Sequence, residues 1–296
     1  MVFFSNEEMS AHPEVMAEAE VLNIHPYMLT KEFLHMCPKL KWIQTPAAGV
    51  DGACMEEIKR RGILFTNGTG NMSVSIAEDV FCKMLMHSRR MREYDEAKRR
   101  RQWLTFDQDP WMAVVARDLY GKRLGLIGDG AIATEIAKRA KAFEMEVLTY
   151  GLYNGKCPYW DTFYDTDEGL KCLLKESDFV VIVVPLTAST RYMMNTKTFA
   201  LMKSSAMLLN AARGSIVKED DLIHALEGGE IAAAALDVFE VEPLPESSKL
   251  WEMPNVYITT HKAGAGDSWV KRLKKLYEDN VEAYAQGRPL RNQVSL

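Results

Sequence analysis

The chain has 296 residues, which corresponds to about two domains at roughly 150 residues each. Hydrophobic residues make up 47% and charged residues 26%, a balance that excludes wholesale disorder. The formal net charge of −5 does not suit nonspecific binding of polyphosphate. The longest strictly apolar runs, Phe179–Val184 and Ile231–Leu236, are far shorter than the roughly 18–20 residues of a membrane helix.

Five cysteines are spread along the chain without a Cys-x-x-Cys pair, at positions 37, 54, 82, 157 and 172. The odd number and the spacing argue against a disulfide framework and against a thiolate metal site. Residues Met1–Glu8 have neither the basic stretch nor the apolar run of a signal peptide. We therefore expect a cytoplasmic protein with reduced thiols and without a metal.

The first hundred residues predict few regular elements. Candidate strands lie at Ala17–Ile24 and Leu40–Gln44, and apolar residues near helical spacing predict one long helix over 75–103. The second half of this helix carries seven Lys and Arg residues, which we interpret as a solvated face that also favours phosphate-bearing ligands. Aromatic residues and glycines do not interleave with these charges, so we expect no nucleic-acid partner.

From Gly121 onward, short apolar segments alternate with helical ones. The predicted strands are Arg123–Ile127, Glu146–Tyr150, Phe179–Val184, Ala206–Ala211, Ala232–Val238 and Asn255–Thr260, and the predicted helices are 132–143, 168–176, 196–203 and 219–228. This alternation predicts a doubly wound α/β domain, with a parallel sheet that is covered by helices on both faces. A last helix over 268–285 is expected to pack back on the first domain.

A glycine turn follows the first strand of this domain. The sequence Gly128-Asp129-Gly130-Ala131-Ile132-Ala133 has the spacing G-x-G-x-x-A and opens the next helix. Gly128 permits the tight turn, Gly130 lets the backbone approach a pyrophosphate, and the helix start offers unpaired N–H groups to phosphates. Since the strand, the turn and the helix all have the expected spacing, the sequence predicts a dinucleotide site.

The acidic residue that usually follows the second strand and binds the adenosine ribose is missing. After Tyr150 comes Gly151, and the next carboxylate is Asp161. A carboxylate at the strand end repels a 2′-phosphate, so its absence permits NADP, and Lys156 offers a positive partner. The sequence thus favours NADP without excluding NAD.

Three polar residues follow three later strands of the predicted sheet. Arg213 follows Ala206–Ala211, Glu242 follows Ala232–Val238, and His261 follows Asn255–Thr260. In open α/β sheets, ligands bind beyond the carboxyl ends of the strands. These residue types suit hydride transfer to a 2-keto acid. An arginine can hold the substrate carboxylate, an imidazole can transfer the proton, and a carboxylate can orient the imidazole.

The chain resembles the D-isomer-specific 2-hydroxyacid dehydrogenases from about Leu40 to its C-terminus. The motifs that carry this resemblance are 40–44 with 48–51, Ala77-Glu78, the glycine turn, 184–187, 210–214, 236–239 with Glu242-Pro243, and 261–264. The resemblance implies that Arg213, Glu242 and His261 are catalytic.

The same resemblance implies further contacts. Backbone N–H groups of Ala48, Gly49 and Val50, together with Arg213 and His261, are expected to bind the substrate, and Asp237 is expected near the cofactor's carboxamide. The other expected cofactor-binding residues are Ser73, Gly128, Gly130, Ala131, Ile132, Gly151, Pro185, Thr187, Ala211 and Gly264.

The fold that the resemblance implies is α/β, with two Rossmann-like domains and an active cleft between them. Residues 1–89 and 267–296 would form a smaller substrate domain, trimmed at its N-terminus, and residues 90–266 the dinucleotide-binding domain. Members of this family are usually dimers formed through the nucleotide domain, so we expect a homodimer.

The leading hypothesis is an NAD(P)-dependent oxidoreductase that interconverts a small 2-keto acid and a D-2-hydroxy acid. Phosphoglycerate oxidation remains open within this class. The alternative from another class is a dinucleotide-sensing, corepressor-like binding protein without significant turnover.

Overall fold

The structure is a computed structural model that describes residues 12–103, 116–151 and 156–295. By its internal contacts the chain divides into two compact units. The first comprises the described residues up to Met72 and those from Asp267 onward, and the second is Ser73–Gly266. Within these described ranges no helix is both long and apolar enough to cross a membrane. All five cysteines are free thiols.

Ten α-helices and ten strands lie in the described part of the chain. In chain order they are α1 (Pro13–Glu18), β1 (Val21–Asn23), α2 (Lys31–His35), β2 (Trp42–Gln44), α3 (Met55–Arg60), β3 (Leu64–Thr66), α4 (Ser73–Ser88), α5 (Met91–Arg99), β4 (Arg123–Ile127), α6 (Ala131–Ala142), β5 (Glu146–Tyr150), β6 (Thr162–Tyr164), α7 (Asp167–Glu176), β7 (Phe179–Ile182), α8 (Thr196–Phe199), β8 (Met207–Asn210), α9 (Glu219–Glu227), β9 (Ala233–Leu236), β10 (Val256–Ile258) and α10 (Trp269–Ala285).

The first unit is built on a parallel three-stranded sheet in the order β1-β2-β3. Ile43 and Phe65, from the two neighbouring strands β2 and β3, are completely buried in its core. Helix α10 belongs to this unit: the buried amide of Asn280 donates to Gln44 Oε1 over 2.9 Å, and Trp42 packs on Tyr284. A buried amide pays a desolvation cost unless it is hydrogen-bonded, so this bond fixes the helix to the sheet.

The second unit contains a seven-stranded parallel sheet in the order β10-β9-β8-β7-β4-β5-β6. The chain enters at β4, proceeds to β5 and β6, and then crosses back to β7 on the other side of β4. One hydrophobic cluster covers each face of this sheet, and every residue of β7, β8 and β9 is buried. The direction of winding therefore reverses between β4 and β7, which is where open α/β sheets form their ligand crevice.

Two predictions for the first hundred residues are wrong. The single helix predicted over 75–103 is two helices, α4 and α5, because Arg90 between them adopts a left-handed backbone conformation with φ of 55°. The strand predicted at Ala17–Ile24 is confined to β1, since Pro13–Glu18 is helical. Proline at the first helical position favours this helix start.

Helix α4 packs within the second unit. Phe81 stacks on Phe143 just beyond the end of α6, with 5.2 Å between the ring centroids, and Glu78 accepts a hydrogen bond from Arg139 of α6. The division between the units therefore falls at Ser73, whereas the boundary predicted from the sequence lies after residue 89.

The basic helix α5 pairs much of its charge internally. Arg99 binds Asp95 and Arg100 binds Glu96, each over 2.6 Å, and both pairs are exposed. Such i,i+4 pairs are typical of a solvated helix face and contribute little stability.

Gly214, the residue after Arg213, packs directly on another backbone. A Cβ atom at this position would overlap the carbonyl group of Phe239. We predict that Gly214→Ala lowers the free energy of unfolding by about 1–3 kcal/mol, because two backbone segments must move apart. Gly130→Ala is the matched control, since a Cβ there meets no atom within 4 Å and should cost less than about 1 kcal/mol. Urea unfolding measures the stability of both variants, and an equal loss of unfolding free energy in the two would contradict the prediction.

Candidate active site

The glycine turn forms a cradle at the carboxyl end of β4. Gly128 has φ of +127°, and its N–H donates to the Tyr150 carbonyl over 2.7 Å. A Cβ at Gly128 would lie only 2.9 Å from the Val183 carbonyl group, so a larger residue does not fit between the strand ends. Ala131 and Ile132 form the first turn of α6, where helix N–H groups lack intrahelical partners. These residues fit the pyrophosphate of a dinucleotide.

Other residues predicted to bind the cofactor lie at the same edge of this sheet. Gly151 follows β5, Pro185 and Thr187 follow β7, Ala211 follows β8, and Gly264 lies in the loop after β10. Because the strands are parallel, their carboxyl ends and these residues share one edge. Pro185 and Thr187 are exposed. The topology thus collects these five predicted cofactor residues along one side of the sheet.

Ser73 begins α4 and is 3% exposed. Among the residues that the structure describes, its buried Oγ has no hydrogen-bond partner. A buried hydroxyl without a partner is costly, and a polar group of a ligand would satisfy it. This is consistent with the expected role of Ser73 in the nicotinamide pocket.

Glu242 and His261 form a direct pair. Glu242 Oε2 lies 2.7 Å from His261 Nδ1, and Glu242 Oε1 accepts a hydrogen bond from the backbone N–H of Phe239. An ionised carboxylate only accepts hydrogen bonds, so this contact assigns the proton to Nδ1. The imidazole is 51% exposed, which leaves Nε2 for a second partner. The pair therefore has the arrangement of an oriented proton donor.

The backbone of His261 is strained and is held by Asp237. His261 has φ of 56°, in the left-handed region that side-chain-bearing residues rarely adopt. Its N–H donates to the Asp237 carbonyl over 2.7 Å. The buried Asp237 carboxylate accepts from the N–H groups of Lys262 and Ala263 and from the Thr259 hydroxyl. One residue thus fixes the loop on both sides of the histidine. We call 259–263 the histidine loop.

A buried lysine supports the histidine loop from behind. Lys83 of α4 is 6% exposed, and its Nζ donates to Thr259 Oγ1 over 2.7 Å and to Asp79 Oδ2 over 2.6 Å. Sequence reasoning missed Lys83. The signal was a lysine seven residues after Ile76 and three after Val80, on the face of the helix that the apolar pattern assigns to the core.

Arg213 stands on a turn that Asn210 shapes. The Asn210 side chain accepts from the N–H of Ala212 and donates to the carbonyl of Arg213, and the Arg213 guanidinium donates to the Ala212 carbonyl over 2.7 Å. Gly214 then packs on the backbone at Phe239, whose N–H orients Glu242. The turns that carry Arg213 and Glu242 are therefore adjacent.

Glu219, at the start of α9, braces the Glu242 turn. Its carboxylate accepts from the backbone N–H of Glu240, while its own N–H donates to Glu240 Oε1 over 2.7 Å. Burial raises the pKa of Glu219, and the nearby carboxylates of Glu240, Asp220 and Glu242 raise it further. Tyr192 completes the group by donating to Glu240 over 2.8 Å. These bonds fix the turn that carries Glu242.

The expected substrate loop, Ala48–Val50, lies in the first unit, beyond the carboxyl end of β2. The Asn67 amide donates to the Ala48 carbonyl over 2.8 Å, and Val50 accepts from Ala53. Within the described ranges, the N–H groups of Ala48, Gly49 and Val50 donate to no protein acceptor. Such adjacent free N–H groups suit the binding of a carboxylate.

Comparisons with known proteins place the chain among relatives with a shared family name. The family model of the D-isomer specific 2-hydroxyacid dehydrogenase, NAD binding domain, matches residues 81–263. A glyoxylate reductase of Korarchaeum cryptofilum is 34% identical over 86% of this chain and 76% of its own, and glyoxylate/hydroxypyruvate reductase B of Escherichia fergusonii is 33% identical over 98% and 89%.

A solved structure has the same fold. The D-isomer specific 2-hydroxyacid dehydrogenase from Xanthobacter autotrophicus Py2, in complex with NADPH and MES, is 30% identical, with a TM-score of 0.80 over 96% of this chain and 85% of its own. The family model is that of an NAD-binding domain and this neighbour holds NADPH, so the comparisons support NAD or NADP as the cofactor.

Lys83 provides a test of the support behind the histidine loop. We predict that Lys83→Met lowers the free energy of unfolding by about 3 kcal/mol, because it leaves the Asp79 charge without its partner. It should also speed backbone hydrogen exchange at 259–263. The control is Lys274→Met, which removes an exposed lysine from its contact with Glu278 and should cost under about 0.5 kcal/mol. If the two variants lost equal stability in urea unfolding and exchange in the loop were unchanged, Lys83 would not stabilise the histidine loop.

Proposed function

Because the chain belongs to the D-isomer specific 2-hydroxyacid dehydrogenase family, an NAD(P)-dependent oxidoreductase family acting on 2-hydroxy acids, we propose that it interconverts a small 2-keto acid and a D-2-hydroxy acid. The observation that carries this proposal is the 2.7 Å contact between Glu242 and His261. It lies at the sheet edge that also bears the glycine turn.

His261 is the proposed proton donor. A bound reduced nicotinamide supplies the hydride to the carbonyl carbon of the keto acid. The Nε2–H of a protonated His261 gives its proton to the carbonyl oxygen, so that the C=O group becomes a CH–OH group. Glu242, bonded to Nδ1, stabilises the positive imidazole before transfer. In the oxidative direction, neutral His261 takes the hydroxyl proton.

Arg213 is the proposed substrate anchor. Its planar guanidinium offers parallel N–H donors that match a carboxylate or a polarised keto oxygen. The N–H groups of Ala48, Gly49 and Val50 would bind the substrate carboxylate in addition. Both elements favour 2-keto acids over neutral ketones, because each recognises negative charge.

The remaining expectations are part of the same proposal. The cofactor would be lined by the turns at Gly128, Gly130, Gly151, Pro185, Thr187 and Ala211, together with Ser73 and Gly264. The cytoplasmic location, suggested by the free thiols, and the homodimer, suggested by the family, stay predictions.

His261→Ala tests the proton donor. We predict that kcat falls roughly 10²–10⁴-fold, because general acid–base catalysis is lost, while the Kd for the dinucleotide stays nearly unchanged. His224→Ala is the control, since this histidine is exposed on α9 of the same unit. Stopped-flow turnover and equilibrium binding provide the two readouts. Unchanged turnover in His261→Ala would overturn the assignment.

A substrate panel tests the reaction class. Glyoxylate, hydroxypyruvate, pyruvate, oxaloacetate and branched or aromatic keto acids are each assayed as kcat/KM with NADH and with NADPH. Because the relatives are named for glyoxylate and hydroxypyruvate, we expect these two small acids to give the highest values. Tight dinucleotide binding without turnover of any acid would contradict the proposal and favour the sensor.

A further inference from the structure

The glycine turn carries an unusual carboxylate. Asp129 is the second residue of the turn, between Gly128 and Gly130, and it is 7% exposed. Its side chain lies against the backbone of Gly151. A Cβ built on Gly151 would overlap Asp129 Cγ and would come within 2.6 Å of its Oδ2. The carboxyl group therefore occupies the space where a side chain of residue 151 would begin.

The sheet explains this contact. Strands β4 and β5 are neighbours in parallel register, with Ile127 opposite Tyr150. The N–H of Gly128 donates to the Tyr150 carbonyl, so the two strands are still hydrogen-bonded where they leave the sheet. The next residues, Asp129 and Gly151, are thus side by side although they are 22 positions apart in the sequence. The end of β5 has a carboxylate, but it comes from the glycine turn.

The end of this second strand is the place where dinucleotide-binding folds use an acid to bind the adenosine ribose. Resting on the proposed function, we infer that Asp129 performs this task and makes the protein select NAD(H) over NADP(H). An ionised carboxylate accepts hydrogen bonds from ribose hydroxyl groups. It repels a 2′-phosphate, which is negatively charged and offers no donor when ionised.

This inference reverses the preference for NADP drawn from the sequence. That preference rested on the lack of an acidic residue directly after Tyr150 in the sequence. In the structure, however, the carboxyl group of Asp129 lies beside Gly151. Lys156, the positive partner considered for a 2′-phosphate, is exposed. Glycine at 151 is also part of the arrangement, because a larger residue would displace the Asp129 carboxyl group.

Equilibrium binding tests the inference without turnover. Kd values for NADH, NADPH, ADP-ribose and 2′-phospho-ADP-ribose are measured by calorimetry on the full chain and on Asp129→Asn. We expect the unmodified protein to bind NADH at least tenfold more tightly than NADPH. In Asp129→Asn the ratio of the two Kd values should shift toward NADPH by tenfold or more. The ADP-ribose pair should follow the same trend.

Two further variants make the result specific. Glu144→Gln removes one negative charge just beyond the opposite end of α6 and should leave the Kd ratio unchanged. Asp129→Ser, which lacks the charge and is shorter, should also weaken NADH binding, and it replaces Asp129→Asn if that variant does not fold by circular dichroism.

The outcomes separate the two claims. A tighter affinity of the unmodified protein for NADPH, or an equal change of both Kd values in the Asp129 variants, overturns the inference alone. Selective NADH binding without turnover of any keto acid supports it and contradicts the proposed reaction. Failure of the unmodified protein to bind either dinucleotide overturns both.

Discussion

The candidate site depends on the hydrogen bonds by which Asp237 fixes the histidine loop. His261 has a left-handed backbone, a conformation that costs of order 1–3 kcal/mol and persists only when its surroundings enforce it. Asp237 enforces it with its carbonyl oxygen on one side and its carboxylate on the other. Thr259 and the buried Lys83 extend this support into helix α4. The imidazole direction is therefore set by buried groups, although the ring itself is half exposed.

The rest of the site follows from the parallel sheet. Strands β8, β9 and β10 are neighbours, so the turns that carry Arg213, Glu242 and His261 follow one another along one edge. Gly214 lets two of these turns meet backbone to backbone, and the Phe239 N–H then aims Glu242 at the imidazole. The reversal of winding between β4 and β7 adds the glycine turn to the same edge. Backbone geometry thus orients the site before any ligand binds.

Sequence reasoning located the sheet of the second unit and the residues after its strands, because apolar runs and polar strand ends are local signals. It extended one helix through Arg90, since periodicity does not report a left-handed residue between two helices. It overlooked Lys83, whose partner Thr259 is far away in the chain. It did not predict that the Asp237 carboxylate binds the histidine loop, and the expected place of Asp237 near the carboxamide stays a prediction. It also found no acid at the end of β5, because that acid arrives from a neighbouring strand.

The proposed site is tested most directly by a crystal structure of the protein with a nicotinamide dinucleotide and oxamate, an unreactive mimic of a 2-keto acid. We expect His261 Nε2 to lie about 3 Å from the carbonyl oxygen of oxamate, with Nδ1 still bonded to Glu242. An imidazole turned away from that oxygen, with Glu242 bonded elsewhere, would contradict it.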